Sequence, residues 1–175
     1  MIYPIVVFGN KVLRKQCKKV ERGEDLKQLI DDMFATMYNA NGVGLAAPQI
    51  GKDLTLLVID FSDYVEEGSK WQVEMINPEL TLDEDSEFIA AKEGCLSLPG
   101  ISREVFRKNK ISVKYFDRDW QEHDEIYEGF AARIVQHEYD HLDGKLFIDY
   151  SETATIKQQL KDIKNRDVDT DYEII

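Results

Sequence analysis

The amino-acid sequence predicts an α+β fold in which antiparallel or mixed β-sheets pack around a central helix, with further helices towards both ends. The chain has 175 residues, a length that fits one domain. Strand-like segments dominate the middle of the chain, and the two clearest helical segments flank them, which is typical of the α+β class. We therefore expect a single domain over residues 1–166 and an acidic, loosely held tail over 167–175.

The first helix is predicted at 24–40, because its apolar residues recur at helical spacing and acids occupy its first turn. The glycine-containing segment 39–44 should end this helix. A β-branched apolar run at 55–60 predicts a strand, and 61–70 is predicted to be an exposed loop.

The rest of the chain contributes three more predicted strands and two helices. The strands are predicted at 73–82, 104–107 and 111–117. Helical spacing returns at 129–141. Ser151 is expected to cap a last helix that ends near Lys164, since its hydroxyl can accept a bond from a free backbone N–H.

Charge narrows the classes of partner. The chain carries 34 acidic and 22 basic residues, a net charge of -12, so we expect no binding of DNA through broad electrostatics. The first 22 residues differ, since six bases stand there against the single acid Glu21. We interpret this basic run as a solvated surface, and a contact with the ribosome stays open.

The two cysteines, Cys17 and Cys95, cannot form the disulfide framework of a small secreted protein. The N-terminus has no basic region ahead of its apolar residues, and that apolar run is far shorter than the roughly 20 residues that span a bilayer. We therefore expect a cytoplasmic protein without a membrane anchor. In that reducing setting a cysteine is a buried apolar residue, a metal ligand or a nucleophile.

The most specific motif is His137-Glu138-Tyr139-Asp140-His141. Residues four apart project from one face of a helix, one turn apart, so the two imidazoles can bind one metal ion. The glutamate between them can reach a water on that metal without being a ligand itself. We predict a metal site on this helix.

A metal site of this kind needs a third protein ligand, and the sequence offers several candidate residues. Six residues past the motif, where metzincins place a third histidine, this chain has Phe147. Glu152 and Glu173 lie in no recognisable context, and His123 lies in a polar segment that suggests a surface turn. Cys95 is the better candidate, because a metal stabilises its thiolate and the preceding glycine permits close backbone approach.

Three segments in order, 42–49, 93–97 and 136–141, resemble motifs of the peptide deformylase family. The family carries G-x-G-L-A-A-x-Q, E-G-C-L-S and Q-H-E-x-D-H. Shorter likenesses at 12–14 and 142–144 extend the resemblance from near residue 1 to about residue 150. The first segment is a poor dinucleotide-binding fingerprint, because a helix rather than a strand precedes it.

The resemblance implies that Cys95, His137 and His141 bind the metal, with a water as the fourth ligand. It also implies iron(II) as the working metal, with zinc, nickel or cobalt able to occupy the site. The implied reaction is hydrolysis of the N-formyl group from nascent polypeptides that begin with formylmethionine.

The resemblance further assigns roles around the metal. Glu138 would move the proton, while the Gln49 amide and the Leu96 backbone N–H would stabilise the oxyanion. The substrate backbone would pair with Gly44 as an added strand, and Gly94 would let it approach.

The methionine side chain of the substrate requires an apolar pocket beside the metal. We expect Val43, Phe130 and Ile134 to form it. The stem of Arg133 could line the same pocket while its charged head stays in solvent, but the sequence does not determine which way this side chain points. Asp140 either orients a neighbour or is simply solvated. Two rival functions remain at this point: a metallopeptidase that cleaves internal bonds, and a peptide-binding module with a structural metal.

Overall fold

Helices lie on both faces of a central antiparallel sheet in this computed structural model, which describes residues 1–64, 71–150 and 154–165. The helices are α1 (Lys27–Asn39), α2 (Gly129–Leu142) and α3 (Ala154–Lys164). The strands are β1 (Gly44–Ala46), β2 (Leu56–Asp60), β3 (Gln72–Leu82), β4 (Phe88–Gly94), β5 (Ser102–Lys108), β6 (Lys110–Phe116) and β7 (Glu122–Glu128). Short 3-10 turns cover Lys11–Arg14, Ala47–Ile50, Ser62–Tyr64 and Phe147–Tyr150.

The five-stranded sheet has the order β1-β2-β3-β6-β7, and each neighbouring pair is antiparallel. Strands β4 and β5 form a separate hairpin in full register from Phe88 opposite Lys108 to Gly94 opposite Ser102. Strand β1 therefore lies at one edge of the large sheet, with its Ala46 N–H bonded to the Gln49 side chain. This edge and the end of the hairpin frame the site described below.

Alternation along β2 sends its side chains into two separate cores. Leu56 and Val58 pack with α1, whereas Leu57 and Ile59 pack with α2. A strand that is apolar on both faces must be covered on both, and this explains the continuous apolar run that predicted it. A third core joins the hairpin to α3 and includes Val105, among others.

The α+β prediction is confirmed, but some element boundaries differ. Helix α1 begins at Lys27, not at residue 24, and no acid lies in its first turn. The carboxylate of Asp25 accepts a hydrogen bond from the Lys27 N–H at 3.1 Å, so this acid precedes the helix. The predicted cap Ser151 and the tail 167–175 lie outside the described residues, as does the predicted loop beyond Tyr64.

Three strands were not predicted: β1, β4 and β7. Strand β1 has only three residues, Gly44–Ala46. The segment around His123, interpreted as a surface turn, belongs to the edge strand β7. Its outward residues are charged except for the exposed Ile126, and its inward face carries His123 and Glu125, so no apolar alternation marks it. Strand β4 was missed because its only buried residue is Glu93.

The basic residues of the first 22 positions are all exposed, which confirms the solvated surface. Most of them also face acids: Arg14 lies 2.7 Å from Asp149, Lys19 lies 3.2 Å from Glu79, and Lys15 and Lys18 each lie 3.8 Å from Asp53. No helix within the described ranges is both long and apolar enough to span a bilayer.

Candidate active site

Three side chains from two elements converge between the hairpin and α2. Cys95 directly follows β4, while His137 and His141 lie one turn apart on α2. Their ligand atoms all lie within 4.8 Å of one another, and the Cys95 Sγ lies 3.4 Å from the His141 Nε2. We call these three residues the triad. One sulfur and two imidazole nitrogens suit iron, zinc, nickel or cobalt better than calcium or magnesium, so the donor set fits such a metal.

The orientation of His137 is set by Glu93. The His137 Nδ1–H donates to the Glu93 Oε2 at 2.9 Å, which leaves Nε2 for the triad. On its other side the imidazole stacks on Phe147, with ring centroids 6.1 Å apart. Phe147, which occupies the position of the third histidine in metzincins, thus packs against the site.

The two histidines of the triad have opposite electrostatic environments. Burial disfavours the charged form of His137, but hydrogen bonds with Cys95 and Glu93 outweigh it and raise the pKa of His137 well above its ordinary value. Metal binding must therefore displace a proton from this imidazole. Burial disfavours ionisation of Glu93, but hydrogen bonds from His137 and Arg107 outweigh it and lower the pKa of Glu93 to about 2. Burial also lowers the pKa of His141 well below its ordinary value, so this imidazole is neutral, the form that binds metals. The His141 Nδ1 is buried without a hydrogen-bond partner among the described residues.

Glu138 is buried beside the triad, and its Oε2 also has no hydrogen-bond partner in the part of the chain that the structure describes. Burial raises the pKa of Glu138 to about 7 in the metal-free protein. The carboxyl group lies directly against the backbone of Gly44, where an added Cβ would lie 2.7 Å from the Glu138 Cδ. Glycine at this position therefore makes room for the carboxylate.

Gln49 is held next to the triad by a hydrogen bond at each end of its amide. Its Oε1 accepts from the Ala46 N–H at 2.9 Å, and its Nε2 donates to the Ser97 hydroxyl at 3.4 Å. The same Nε2 lies 3.6 Å from the Cys95 Sγ. No pattern in the sequence indicates that Ser97 orients this amide.

A cavity of about 570 Å³ opens over Cys95 and His137, whereas the buried His141 does not line it. The predicted site residues that line it are Val43, Gly44, Gln49, Gly94, Cys95, Leu96, Phe130, Arg133, Ile134, His137 and Glu138. Tyr64 also lines it and stacks on Phe130, with ring centroids 4.6 Å apart. Tyr64 was not predicted, because no periodicity or motif marks it.

The sequence leaves the direction of Arg133 open, and the structure buries its charged head. The residue is only 5% exposed. Its guanidinium donates to the Glu93 Oε1 at 2.7 Å, to the Val105 carbonyl at 2.9 Å and to the Ile89 carbonyl. The hairpin, whose first strand was not predicted, covers this side of α2 and supplies these acceptors.

Asp140, for which two roles were open, is buried in an ion pair. It accepts from the Arg107 Nη1 and from the Tyr150 hydroxyl, both at 2.9 Å. Arg107 also binds Glu93 through two nitrogens, so one arginine links the two carboxylates. A buried charge requires a partner, but sequence spacing does not reveal which strand supplies it.

Other candidate ligands lie elsewhere. The His123 Nε2 lies 2.8 Å from Asp117, and its ring stacks on Tyr115. Cys17 is half-buried, and burial raises the pKa of its thiol to about 11. Glu152 and Glu173 lie outside the described residues.

Comparisons with known proteins agree on one family. The polypeptide deformylase family model matches residues 2–157. A peptide deformylase from Cytophaga hutchinsonii is 41% identical over 179 residues, which cover 99% of this chain and 97% of that protein. Another from Chlorobium luteolum is 41% identical over 178 residues, which cover 99% and 93%.

Solved structures give the same result. The peptide deformylase of Thermus thermophilus is similar with a TM-score of 0.85 and 36% identity, covering 95% of this chain and 100% of that one. That of Thermotoga maritima has a TM-score of 0.78 and 44% identity, covering 87% and 99%. Sequence and fold thus agree along nearly the whole length, and this chain belongs to the polypeptide deformylase family.

Proposed function

We propose that this chain hydrolyses the N-formyl group of formylmethionine at the start of newly synthesised polypeptides and releases formate. The observation that carries the proposal is the buried Glu138 carboxylate, whose Oε2 has no hydrogen-bond partner among the described residues, beside three metal-ligand side chains next to a peptide-sized cavity. Family membership supplies the substrate class.

Cys95, His137 and His141 are proposed to hold one divalent ion, with a fourth position open to water. Iron(II) is the proposed working metal, and the same donors also suit zinc, nickel or cobalt. When bound, such a metal acts as a Lewis acid that makes water a nucleophile near neutral pH. A purely structural site would close all four positions with protein ligands, which argues against the structural-metal alternative.

Glu138 is proposed to carry the proton through the reaction. Its carboxylate accepts a proton as water adds to the formyl carbon, and it returns that proton to the nitrogen as the carbon–nitrogen bond breaks. A carboxylate without competing hydrogen bonds among the described residues is available for both steps. Its contact with Gly44 keeps it pointed along one wall of the cavity.

The oxyanion that develops on the formyl oxygen needs donors. We propose the Gln49 side-chain amide and the Leu96 backbone N–H for this role, because both residues line the cavity next to Cys95. The amide is oriented before substrate arrives, since Ala46 and Ser97 hold its two ends. Groups that are already oriented require little reorganisation during the reaction.

The peptide is proposed to bind along the outer edge of β1. This strand ends the five-stranded sheet, and Gly44 at its start lines the cavity, so an extended substrate can add a strand there. Gly94 lies across the cavity at the end of β4. Val43, Phe130 and Ile134 are proposed as the apolar wall for the methionine side chain.

The reaction is proposed to take place in the cytoplasm, or in an organelle that begins synthesis with formylmethionine. A ribosome contact through the basic N-terminal run stays a prediction. Because the bases that face acids are largely compensated, this contact would be weak in electrostatic terms.

A comparison of formyl-Met and acetyl-Met peptides under anaerobic conditions tests the function. We expect formate release from the first and a much lower kcat/KM for the second, because a methyl group forced into a packed site costs about 1–3 kcal/mol. Equal kcat/KM values would contradict the proposal and indicate a general amidohydrolase. Cleavage of internal bonds in unmodified peptides would indicate a metallopeptidase instead.

A further inference from the structure

The triad is divided between two elements that could move relative to each other. Cys95 follows the last residue of strand β4, whereas both histidines lie on α2. Their ligand atoms come within 4.8 Å of one another only if the hairpin and the helix keep a fixed spacing. Side chains that bridge these two elements therefore set the geometry of the site.

Arg133 is such a bridge, and it lies on α2 one turn before His137. Its Nη1 donates to the Val105 carbonyl of β5 at 2.9 Å, and its Nη2 donates to the Ile89 carbonyl of β4. One guanidinium thus binds both strands of the hairpin. The rigid fork of an arginine can do this, whereas the single nitrogen of a lysine cannot occupy both positions at once.

The same guanidinium also holds Glu93. The Nη1 of Arg133 lies 2.7 Å from the Glu93 Oε1, while the Glu93 Oε2 accepts from the His137 Nδ1 at 2.9 Å. Arg133 and His137, four residues apart on one helix face, therefore bind opposite oxygens of one carboxylate from the hairpin. All three side chains are nearly excluded from solvent, with exposed fractions of 6% for Arg133, 5% for Glu93 and 12% for His137.

We propose that Arg133 is a positioning residue for the metal triad, rather than part of the wall that contacts substrate. It ties the hairpin that carries Cys95 to the helix that carries both histidines, and it holds Glu93 against His137. The proposal rests on the proposed function only in taking the triad as the metal site. Partners that orient a metal-binding histidine typically change metal affinity about 10–100-fold when they are replaced.

Zinc binding to the metal-free protein, measured by competition with a chromophoric chelator, tests this role without any substrate. We expect Arg133→Met to raise the zinc dissociation constant about 10–100-fold. The zinc dissociation constant of Arg133→Lys should lie between those of Arg133→Met and the parent. Lysine keeps the positive charge near Glu93 but cannot hydrogen-bond to both strands of the hairpin. Cobalt(II) absorption should shift in the same order, since it reports the geometry around the metal.

Arg103→Met is the matched control. Arg103 lies on the same hairpin, opposite Glu93 in the register, but its guanidinium binds the Ser102 carbonyl and Gln159 rather than the Glu93 carboxylate. We expect this variant to keep the zinc affinity and the cobalt spectrum of the parent. If Arg133→Met does not fold, the intermediate affinity expected for Arg133→Lys decides the question.

Two results would overturn the proposal. An unchanged zinc affinity with a lower thermal stability would make Arg133 a structural residue only. An unchanged zinc affinity with a raised KM for a formyl-Met peptide, measured at saturating metal, would return Arg133 to the substrate wall. A parent protein that binds zinc but releases no formate would contradict the proposed function and leave this inference standing.

Discussion

The two faces of the central sheet differ in what their helices bury. Helix α1 packs Ile30, Met33 and Met37 against the sheet, and its buried polar residues are only Asp32 and Thr36. Helix α2 buries apolar residues too, but five of its fourteen residues are buried and polar or charged. These are Arg133, Gln136, Glu138, Asp140 and His141.

The difference separates stability from function within one sheet. Apolar burial at α1 lowers the free energy of the folded state without any requirement for exact partners. Buried charges at α2 cost desolvation free energy that their ion pairs only partly offset. A chain keeps such groups where they hold ligands and move protons, so we expect substitutions on the two faces to affect different measurements.

The largest expected effect is on turnover, from Glu138→Gln. This variant should keep its metal but lose about 10²–10⁴ in formate release, because the group that we propose to move the proton is gone. Metal content and kcat measured on one preparation check this. A variant that retained most of its activity would show that another group carries the proton.

The opposite behaviour is expected from Ile30→Ala on α1. Ile30 is fully buried, and truncation should lower the free energy of unfolding by about 2–5 kcal/mol. Urea denaturation measures this loss, while metal content and kcat per folded molecule should match the parent. A fall in kcat as large as the fall in stability would contradict the division between the two faces.

The pH dependence of stability should also distinguish the faces. Burial raises the pKa of Glu138 from 4.5 to about 7, so the folded metal-free protein binds a proton that the unfolded chain releases. This stabilisation is full below pH 4.5 and is lost as the pH rises to 7.

The loss should be on the order of 3 kcal/mol, given 1.36 kcal/mol for each pKa unit. Denaturation of metal-free parent and Glu138→Gln across this range gives the difference. Two parallel curves would show that the Glu138 carboxyl does not have a raised pKa.

A smaller effect is expected from Gly44→Ala. The added Cβ would lie 2.7 Å from the Glu138 Cδ and 2.8 Å from its Cγ, so the carboxyl group must move. Overpacking of this kind costs about 1–3 kcal/mol of stability. We expect kcat to fall while the metal is retained. Ala47→Gly, on the same segment but outside the contact with Glu138, is a control for backbone effects.

Much of the fold and site could be predicted because the signals were local. The helical spacing of Ile134, His137 and His141 depends on one element, and so does the apolar run of β2. The family motifs also named the residues that now line one cavity. Local patterns are sufficient where a single element determines the position of a side chain.

The features that could not be predicted depend on contacts between elements that are distant in the sequence. The direction of Arg133 depends on acceptors on β4 and β5, and Glu93 is the only buried residue of a strand that no alternation revealed. The edge strand β7 was hidden for a similar reason, because both of its faces carry polar residues. Tertiary partners decided these positions, and neither propensity nor spacing records them.

We infer that one metal ion binds between the hairpin and α2 and is required for the hydrolysis. Anaerobic metal titration of the parent, Cys95→Ala and His123→Ala, with formate release followed at each point, tests it most directly. We expect the parent and His123→Ala to bind one ion per chain, with activity that rises in proportion to metal occupancy. Cys95→Ala should lose both metal binding and activity. Tight metal binding by Cys95→Ala, or full activity in the metal-free parent, would contradict it.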